Sequence, residues 1–187
     1  MQFVASRHGL KHSSLDSSWS DIKALKFYVT NLKFSLKSDS VYTPHNSCFL
    51  VDFANEESTA LTFEIPADFS PQFLSFTLGV DSATNTAGVM GGALDPTKGM
   101  YWTWQSGYIN LKLETVDSQW HIGGYKFPYA TAQDFKFNIK NNPLKIIIDV
   151  DALVSNIKEL EKDHIMSPGA DAMLVARYLK QVISSEP

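Results

Sequence analysis

The chain is poor in the features that mark several classes of protein. Its 187 residues include one cysteine, Cys48, so no disulfide can form within the chain. It has no apolar run of the length that a membrane-spanning helix needs, and we expect a protein that does not span a membrane. The formal net charge is −4, and no Lys/Arg cluster forms a basic face, so nucleic acid is not an expected partner.

Signatures of common enzymes are also missing. There is no nucleophile elbow (G-x-S-x-G), no P-loop and no dinucleotide-binding glycine motif, and the glycine-rich stretch 88–92 (G-V-M-G-G) matches none of them. We therefore expect a protein that is not an enzyme. A carboxylate pair assembled from separate strands, as glycosidases use, stays open because sequence spacing does not reveal it.

Alternation of apolar and polar residues predicts the fold. We expect one domain over residues 1–187, all-β, with about eight or nine mainly antiparallel strands in a β-sandwich and a C-terminal α-helix. The longest alternating segment, Ile22–Lys37, changes phase at Thr30-Asn31, which predicts a β-bulge or kink there.

Several further elements follow from the same pattern. Strands are predicted at Ala60–Ile65 and Met100–Glu114, and a hairpin is predicted from Asp134–Ile139 and Leu144–Val150 across 140–143.

Helix signals appear only near the C-terminus. Asp151 is predicted to cap a short helix, and Ser167-Pro168 to start the terminal one.

The connection 81–99 is long and glycine-rich, and loops of this length in compact domains are commonly functional. Asp81 and Asp95 are its acidic candidates for a loop surface. Neither belongs to a calcium-binding D-x-D-x-D-G loop, and turn preferences favour a capping role for both.

Aromatic residues concentrate just after this loop, in G-M-Y-W-T-W-Q-S-G-Y (residues 99–108). In a continuous strand, Trp102 and Trp104 would share one face. Two adjacent indoles are most often core residues of a sandwich, and the alternative is that they line a site.

Histidine and methionine supply the candidate metal ligands. His121 precedes Gly123-Gly124, where a ligand or another backbone can approach closely, although a half-buried structural histidine is the simpler interpretation. His164 and Met166 combine an imidazole with a thioether, a set that suits copper, although methionine is more often a core residue. No pair of histidines has the spacing of a metal site on one helix.

Five blocks of the sequence resemble the MbnP family, a group of secreted bacterial proteins that includes copper-binding relatives from methanotrophs. They occur in the family's order: K-F-Y-V-T-N-L-K-F (Lys26–Phe34), L-G-V-D-S-A-T-N (Leu78–Asn85), G-M-Y-W-T-W-Q-S-G-Y (99–108), W-H-I-G-G-Y (Trp120–Tyr125) and H-I-M-S-P-G-A-D-A (His164–Ala172).

The resemblance implies a copper ion held by two histidines from separate segments, for which His121 and His164 are the candidates here. It also implies a tryptophan oxidised to kynurenine by a diheme enzyme related to cytochrome c peroxidases, with Trp102, Trp104 and Trp120 as candidates. Adjacent strand residues point to opposite faces, which argues against Trp120 and His121 touching one metal.

Two hypotheses follow. The first is an exported, non-enzymatic copper-binding protein that captures or handles copper at the cell envelope, in the periplasm, at the outer membrane or after secretion. The N-terminus has no charged n-region followed by an apolar h-region, so the resemblance implies that a leader was removed. The second is a β-sandwich module that binds a protein or glycan through the 81–99 loop, without metal.

Overall fold

Two β-sheets and three α-helices make up the protein in a computed structural model that describes residues 1–15, 19–38, 40–104 and 107–187. Thirteen strands lie within those residues: β1 (Gln2–Arg7), β2 (Leu10–His12), β3 (Ile22–Ser35), β4 (Val41–Tyr42), β5 (Phe49–Asp52), β6 (Phe73–Leu78), β7 (Tyr101–Trp102), β8 (Gly107–Thr115), β9 (Gln119–Gly123), β10 (Gln133–Asn138), β11 (Lys145–Asp149), β12 (His164–Ile165) and β13 (Ile183–Ser185). The helices are α1 (Ser82–Ala87), α2 (Val150–Lys158) and α3 (Ala170–Val182).

The smaller sheet has the strand order β13-β11-β1-β2, and the larger has β10-β6-β3-β8-β9-β12, with β4 and β5 paired to β3 and β7 paired to β8. Pairing is antiparallel except between β1 and β11 and between β9 and β12. The predicted all-β sandwich with a C-terminal helix is confirmed. The strands outnumber the predicted eight or nine because several are only two or three residues long.

Strand β3 is the centre of the larger sheet and contains the predicted irregularity. Its register with β6 shifts between Thr30 and Lys33, and Asn31 has a left-handed φ of 52°. Asparagine tolerates this conformation better than most residues. The bulge keeps Val29 and Leu32 in the same core although they are three positions apart.

The main core lies between the two sheets and under α2 and α3. The ring of Phe3 on β1 packs edge-to-face against Phe27 at 5.1 Å and Phe76 at 5.8 Å, which joins the smaller sheet to the larger. Helix α3 contacts α2, β9, β10 and β11 and buries Val175 and Leu179 in the same cluster. None of the described helices is long and apolar enough to cross a membrane.

A second, smaller core covers the opposite face of the larger sheet. It consists of Tyr28, Val80, Leu94, Met100, Trp102, Tyr108 and Ile109. Tyr28 reaches it because it lies between two inward-facing residues of β3 and so points outward. The 81–99 loop forms this layer by folding into α1 and two 3-10 turns, Gly92–Leu94 and Pro96–Lys98. The loop is thus ordered by its own packing.

Two buried asparagines attach this layer to the sheet. The Asn85 amide donates to the carbonyl of Val80 and accepts from the N–H of Tyr108, both at 2.9 Å. The Asn110 side chain accepts from the N–H of Val80 and donates to Thr131 Oγ1, also at 2.9 Å. A Cβ at Gly79, where φ is +113°, would lie 2.7 Å from Asn110 Cγ, so only glycine leaves room for this side chain.

Two predicted strand assignments are wrong. Met100–Glu114 is not one strand, because the chain turns after Trp102 and β7 pairs back on β8 with Tyr101 opposite Tyr108. Gln105 and Ser106, which the prediction included, lie outside the described residues. Ala60–Ile65 alternates in burial, but its bridge to Gln2 involves Ala60 alone and no strand is formed.

The predicted hairpin from residues 134 to 150 is also wrong. Strand β10 pairs with β6 in the larger sheet, whereas β11 pairs with β1 in the smaller one. The connection therefore crosses between sheets, which an alternating pattern cannot reveal because it specifies a buried face and not a partner strand.

The helix starts differ from the predicted ones. Asp149, not Asp151, caps α2 by accepting a hydrogen bond from the N–H of Ala152 at 3.0 Å. Asp151 faces Arg7, with Oδ1 3.5 Å from Nε. Helix α3 begins at Ala170 after Gly169, and Pro168 precedes it.

We expect Asn85→Ala to leave the carbonyl of Val80 and the N–H of Tyr108 buried without these partners. Each buried polar group left without a hydrogen-bond partner costs roughly 1–3 kcal/mol, so the free energy of unfolding should fall by about 2–4 kcal/mol. Urea denaturation measures this, with Asn138→Ala on the exposed end of β10 as the matched control, expected to change stability by less than about 0.5 kcal/mol. Equal losses in both variants would contradict a special role for Asn85.

Candidate metal-binding site

The parallel pairing of β12 with β9 brings the two candidate histidines to one edge of the larger sheet. His164 lies opposite Gln119, two residues before His121. Paired residues of neighbouring strands point to the same face, as do residues two apart on one strand, so both imidazoles lie on the outer face. A strand spacing of about 4.8 Å and a rise of about 3.3 Å per residue put the two Cα atoms roughly 8 Å apart.

His121 is held in place by a carboxylate on the neighbouring strand. Its side chain is 9% exposed, and its Nε2 lies 2.7 Å from Glu114 Oε1. Lys112, directly opposite His121 on β8, places Nζ 3.3 Å from the same oxygen. Burial opposes ionisation of Glu114, but the hydrogen bond from His121 and the Lys112 charge outweigh it and lower the pKa of Glu114.

Burial also lowers the pKa of His121, although the Glu114 carboxylate acts in the opposite direction. The neutral imidazole is therefore favoured. An ionised carboxylate can only accept hydrogen bonds, so the proton of the neutral ring lies on Nε2 and Nδ1 retains its lone pair. A neutral nitrogen with a lone pair is the form that binds a metal.

Met166 lies close to this edge. The chain after β12 continues along β9, because a Cβ at Gly124 would lie 3.1 Å from Cβ of Pro168. Met166 directly follows Ile165, the last residue of β12 that pairs with β9, where Ile165 lies opposite Trp120. His164 is exposed and Met166 is half-buried, so a side chain at each position can be reached from solvent.

The three candidate tryptophans have different environments. Trp102 is buried against Gly123, where a Cβ would lie 2.6 Å from its Cζ3, and its Nε1 has no hydrogen-bond partner among the described residues. Trp104 follows β7, is 64% exposed and packs 6.2 Å from Trp102 between ring centroids. Trp120 points into the main core and donates from Nε1 to the carbonyl of Lys162 at 2.8 Å. Trp102 is thus the one beside the outer face of β9.

The two acidic residues of the 81–99 loop act as caps. Asp81 accepts from the N–H of Thr84 at 2.8 Å and from Asn31 Nδ2 at 3.2 Å. Asp95 accepts from the N–H of Thr97 at 2.8 Å. Burial opposes ionisation of Asp81, but these hydrogen bonds outweigh it and lower its pKa. Both carboxylates already have local backbone partners.

Glu114 and Lys112 were not among the sequence candidates. Both belong to the alternating sequence L-K-L-E that follows Asn110, with Lys112 two residues and Glu114 four residues past it. This alternation predicts only that they lie on a polar face of the strand. Their proximity to His121 depends on the register between β8 and β9. Throughout the described ranges, no three His, Cys, Asp or Glu side chains gather closely enough to hold a metal ion.

Comparison with known proteins gives two matches. The model of a family described as MbnP matches residues 7–167. The solved structure of MbnP from Methylosinus trichosporium is similar in fold, with a TM-score of 0.54 at 12% sequence identity, covering 82% of this chain and 76% of that chain. A comparison with curated proteins gives no significant match.

The lowered pKa of His121 predicts a pH dependence of stability. The unfolded chain takes up a proton on this residue near its ordinary value of about 6.5, before the folded protein does. The free energy of unfolding should therefore fall as the pH drops below about 6.5 and through the folded-state pKa. In His121→Gln this part of the decline should be absent.

Urea denaturation at pH 7.5, 6.5 and 5.5 on the metal-free protein measures the effect, and His45→Gln, at an exposed turn position, is the control. The interpretation fails if His121→Gln loses as much stability over this range as the wild-type protein.

Proposed function

The chain belongs to the MbnP family, and from that premise we propose that it is an exported, non-enzymatic copper-binding protein that captures or handles copper at the cell envelope. The observation that supports this most is the parallel register of β12 on β9, by which two histidines from separate segments come to one outer edge, with Met166 just past the end of β12. The family resemblance of the sequence blocks supports export and the choice of copper.

In the proposed site, His121, His164 and Met166 hold the ion. Two neutral imidazoles and one thioether form a soft set that favours Cu(I) over harder cations. Glu114 binds the far nitrogen of His121, and such outer partners orient a metal-binding imidazole and raise its basicity.

Trp102 is the tryptophan that we propose to be oxidised to kynurenine by a diheme enzyme related to cytochrome c peroxidases. Its indole lies against Gly123, which is two residues past His121 and on the same face of β9. Trp120 is less suitable because it faces the main core. The exposed ring of Trp104, packed on Trp102, is where the modifying enzyme would make contact.

A second candidate function is supported by a different observation. Exposed apolar side chains flank the outer layer: Val89, Met90, Trp104, Phe127 and Tyr129. The 81–99 loop and the turn after β9 meet at Gly107, where a Cβ would lie 3.4 Å from Asn85 Oδ1 and 3.3 Å from the Tyr125 ring. A protein or glycan could bind this surface without any metal. The chain would then act as an interaction module.

Titration with Cu(I) at neutral pH distinguishes the two functions. We expect the wild-type protein to bind one equivalent, and His121→Ala and His164→Ala each to weaken binding by about tenfold or more, because each removes a ligand. Glu114→Gln should weaken binding by about 10–100-fold through loss of the outer partner. Affinity should fall as the pH drops through the histidine range.

His45→Ala is the control because it removes an imidazole at an exposed turn, and its affinity should match that of the wild-type protein. Absence of copper uptake by the wild-type protein, or equal affinities of all variants, would rule out this site and leave the interaction module as the better proposal.

A further inference from the structure

A cavity opens at one corner of the sandwich, and none of the candidate metal ligands lines it. Its volume is approximately 720 Å³, and it lies between the ends of β3 and β6, the segment 60–71 and the connection 139–144. Small-molecule sites in proteins commonly have volumes of about 300–1,000 Å³. The cavity is therefore large enough for a small organic ligand.

The walls of the cavity are mainly apolar. Phe34, Phe63, Phe69, Ile65, Leu74 and Ile139 contribute to it. Phe63 packs edge-to-face on Phe34 at 5.3 Å and on Phe49 at 5.6 Å, and these contacts fix the orientation of its ring. Phe63 and Phe69 are only half-buried, so a ligand that covered them would gain hydrophobic free energy without displacing core residues.

Segment 60–71, which turns at residues 67–68, is held in place by backbone hydrogen bonds, and these keep the cavity open. At one end the N–H of Leu61 donates to the carbonyl of Met1 at 2.8 Å, and beyond the other end the N–H of Gln72 donates to the carbonyl of Ser35 at 2.9 Å. Between them, Tyr42 Oη donates to the carbonyl of Glu64 at 3.0 Å. A site formed before the ligand arrives loses less conformational entropy on binding.

The polar groups indicate the charge of the ligand. Among the described residues that line the cavity, no side chain is ionisable. The N-terminal ammonium of Met1 also lies there and donates to the carbonyl of Leu61 at 2.9 Å, and burial lowers its pKa. Amide and hydroxyl groups of Gln2, Ser70 and Asn142 are available there instead. A cationic ligand would lose its hydration without gaining an anionic partner, and an anionic ligand would meet only an ammonium that already donates to the carbonyl of Leu61. Both cases disfavour a charged ligand.

We propose that this cavity is a binding site for a neutral, largely apolar small molecule that carries a hydrogen-bonding group. Its rings or branched chain would contact the phenylalanine walls, and its polar group would reach the amides at the rim. This site shares no residue with the proposed copper site. A binding test on the cavity therefore needs no copper, and its result does not bear on the copper proposal.

N-phenyl-1-naphthylamine is a suitable probe because it is neutral, aromatic and fluoresces strongly in apolar surroundings. We expect saturable binding to the wild-type protein. Thr62→Trp and Ser70→Trp place a large side chain at exposed rim positions, and each should weaken binding by about tenfold or more by filling the cavity.

Ser155→Trp is the matched control, since it adds the same side chain at an exposed position of α2 and should leave binding unchanged. Phe127→Ser removes the most exposed aromatic side chain, at 97%, and should also leave binding unchanged. Circular dichroism checks that each variant is folded.

The proposal is overturned if the wild-type protein gives no saturable binding. It is also overturned if both rim variants, correctly folded, bind the probe as the wild-type protein does, or if Phe127→Ser is the change that abolishes binding.

Discussion

The buried amides of Asn85 and Asn110 are the contacts on which the outer layer of this protein depends. Strand β3 pairs with β8 up to Phe27 and with β6 from Val29, and the N–H of Gly79 donates to the carbonyl of Tyr28 between them. The N–H and carbonyl of Val80 lie just past these pairings. The two side chains supply the missing partners, with bonds to both the N–H and the carbonyl of Val80. Because unpaired buried polar groups are costly, the amides fix the path of the 81–99 loop. That path places Trp102 over Gly123 and beside the outer edge of β9.

The outer edge and the cavity differ in the chemistry that each offers. At the edge, the buried His121 ring lies within hydrogen-bond distance of Glu114, and Lys112 forms an ion pair with the same carboxylate. At the cavity, phenylalanine walls and amide groups surround no charged side chain, and the Met1 ammonium there is bonded to the carbonyl of Leu61. Both sites lie on strands of the larger sheet, but they use opposite faces and different corners. A single sandwich can therefore present two separate binding chemistries.

Much of the fold was predictable from residue patterns. The phase change at Thr30-Asn31 identified the bulge because burial on one face of a strand has a period of two, and an extra residue must break it. The family was identified from its blocks, and its model matches residues 7–167. The hairpin from residues 134 to 150 was predicted wrongly because both strands bury apolar faces equally well in either sheet. The single strand Met100–Glu114 was predicted wrongly because the aromatic alternation was weighted above the Ser106-Gly107 dipeptide, which is a turn signal.

The sequence by itself determined the local properties: which residues are apolar, where alternation changes phase, and which side chains can bind a metal. Those properties depend on neighbours within a few positions. Only the tertiary structure decided which of them meet. His121 and His164 share an edge because β12 pairs with β9 in parallel, and Glu114 reaches His121 through the register of β8 on β9. Such pairings are determined by the free energy of burying a whole sheet. That free energy is summed over distant parts of the chain, so the residues around any one position do not reveal it.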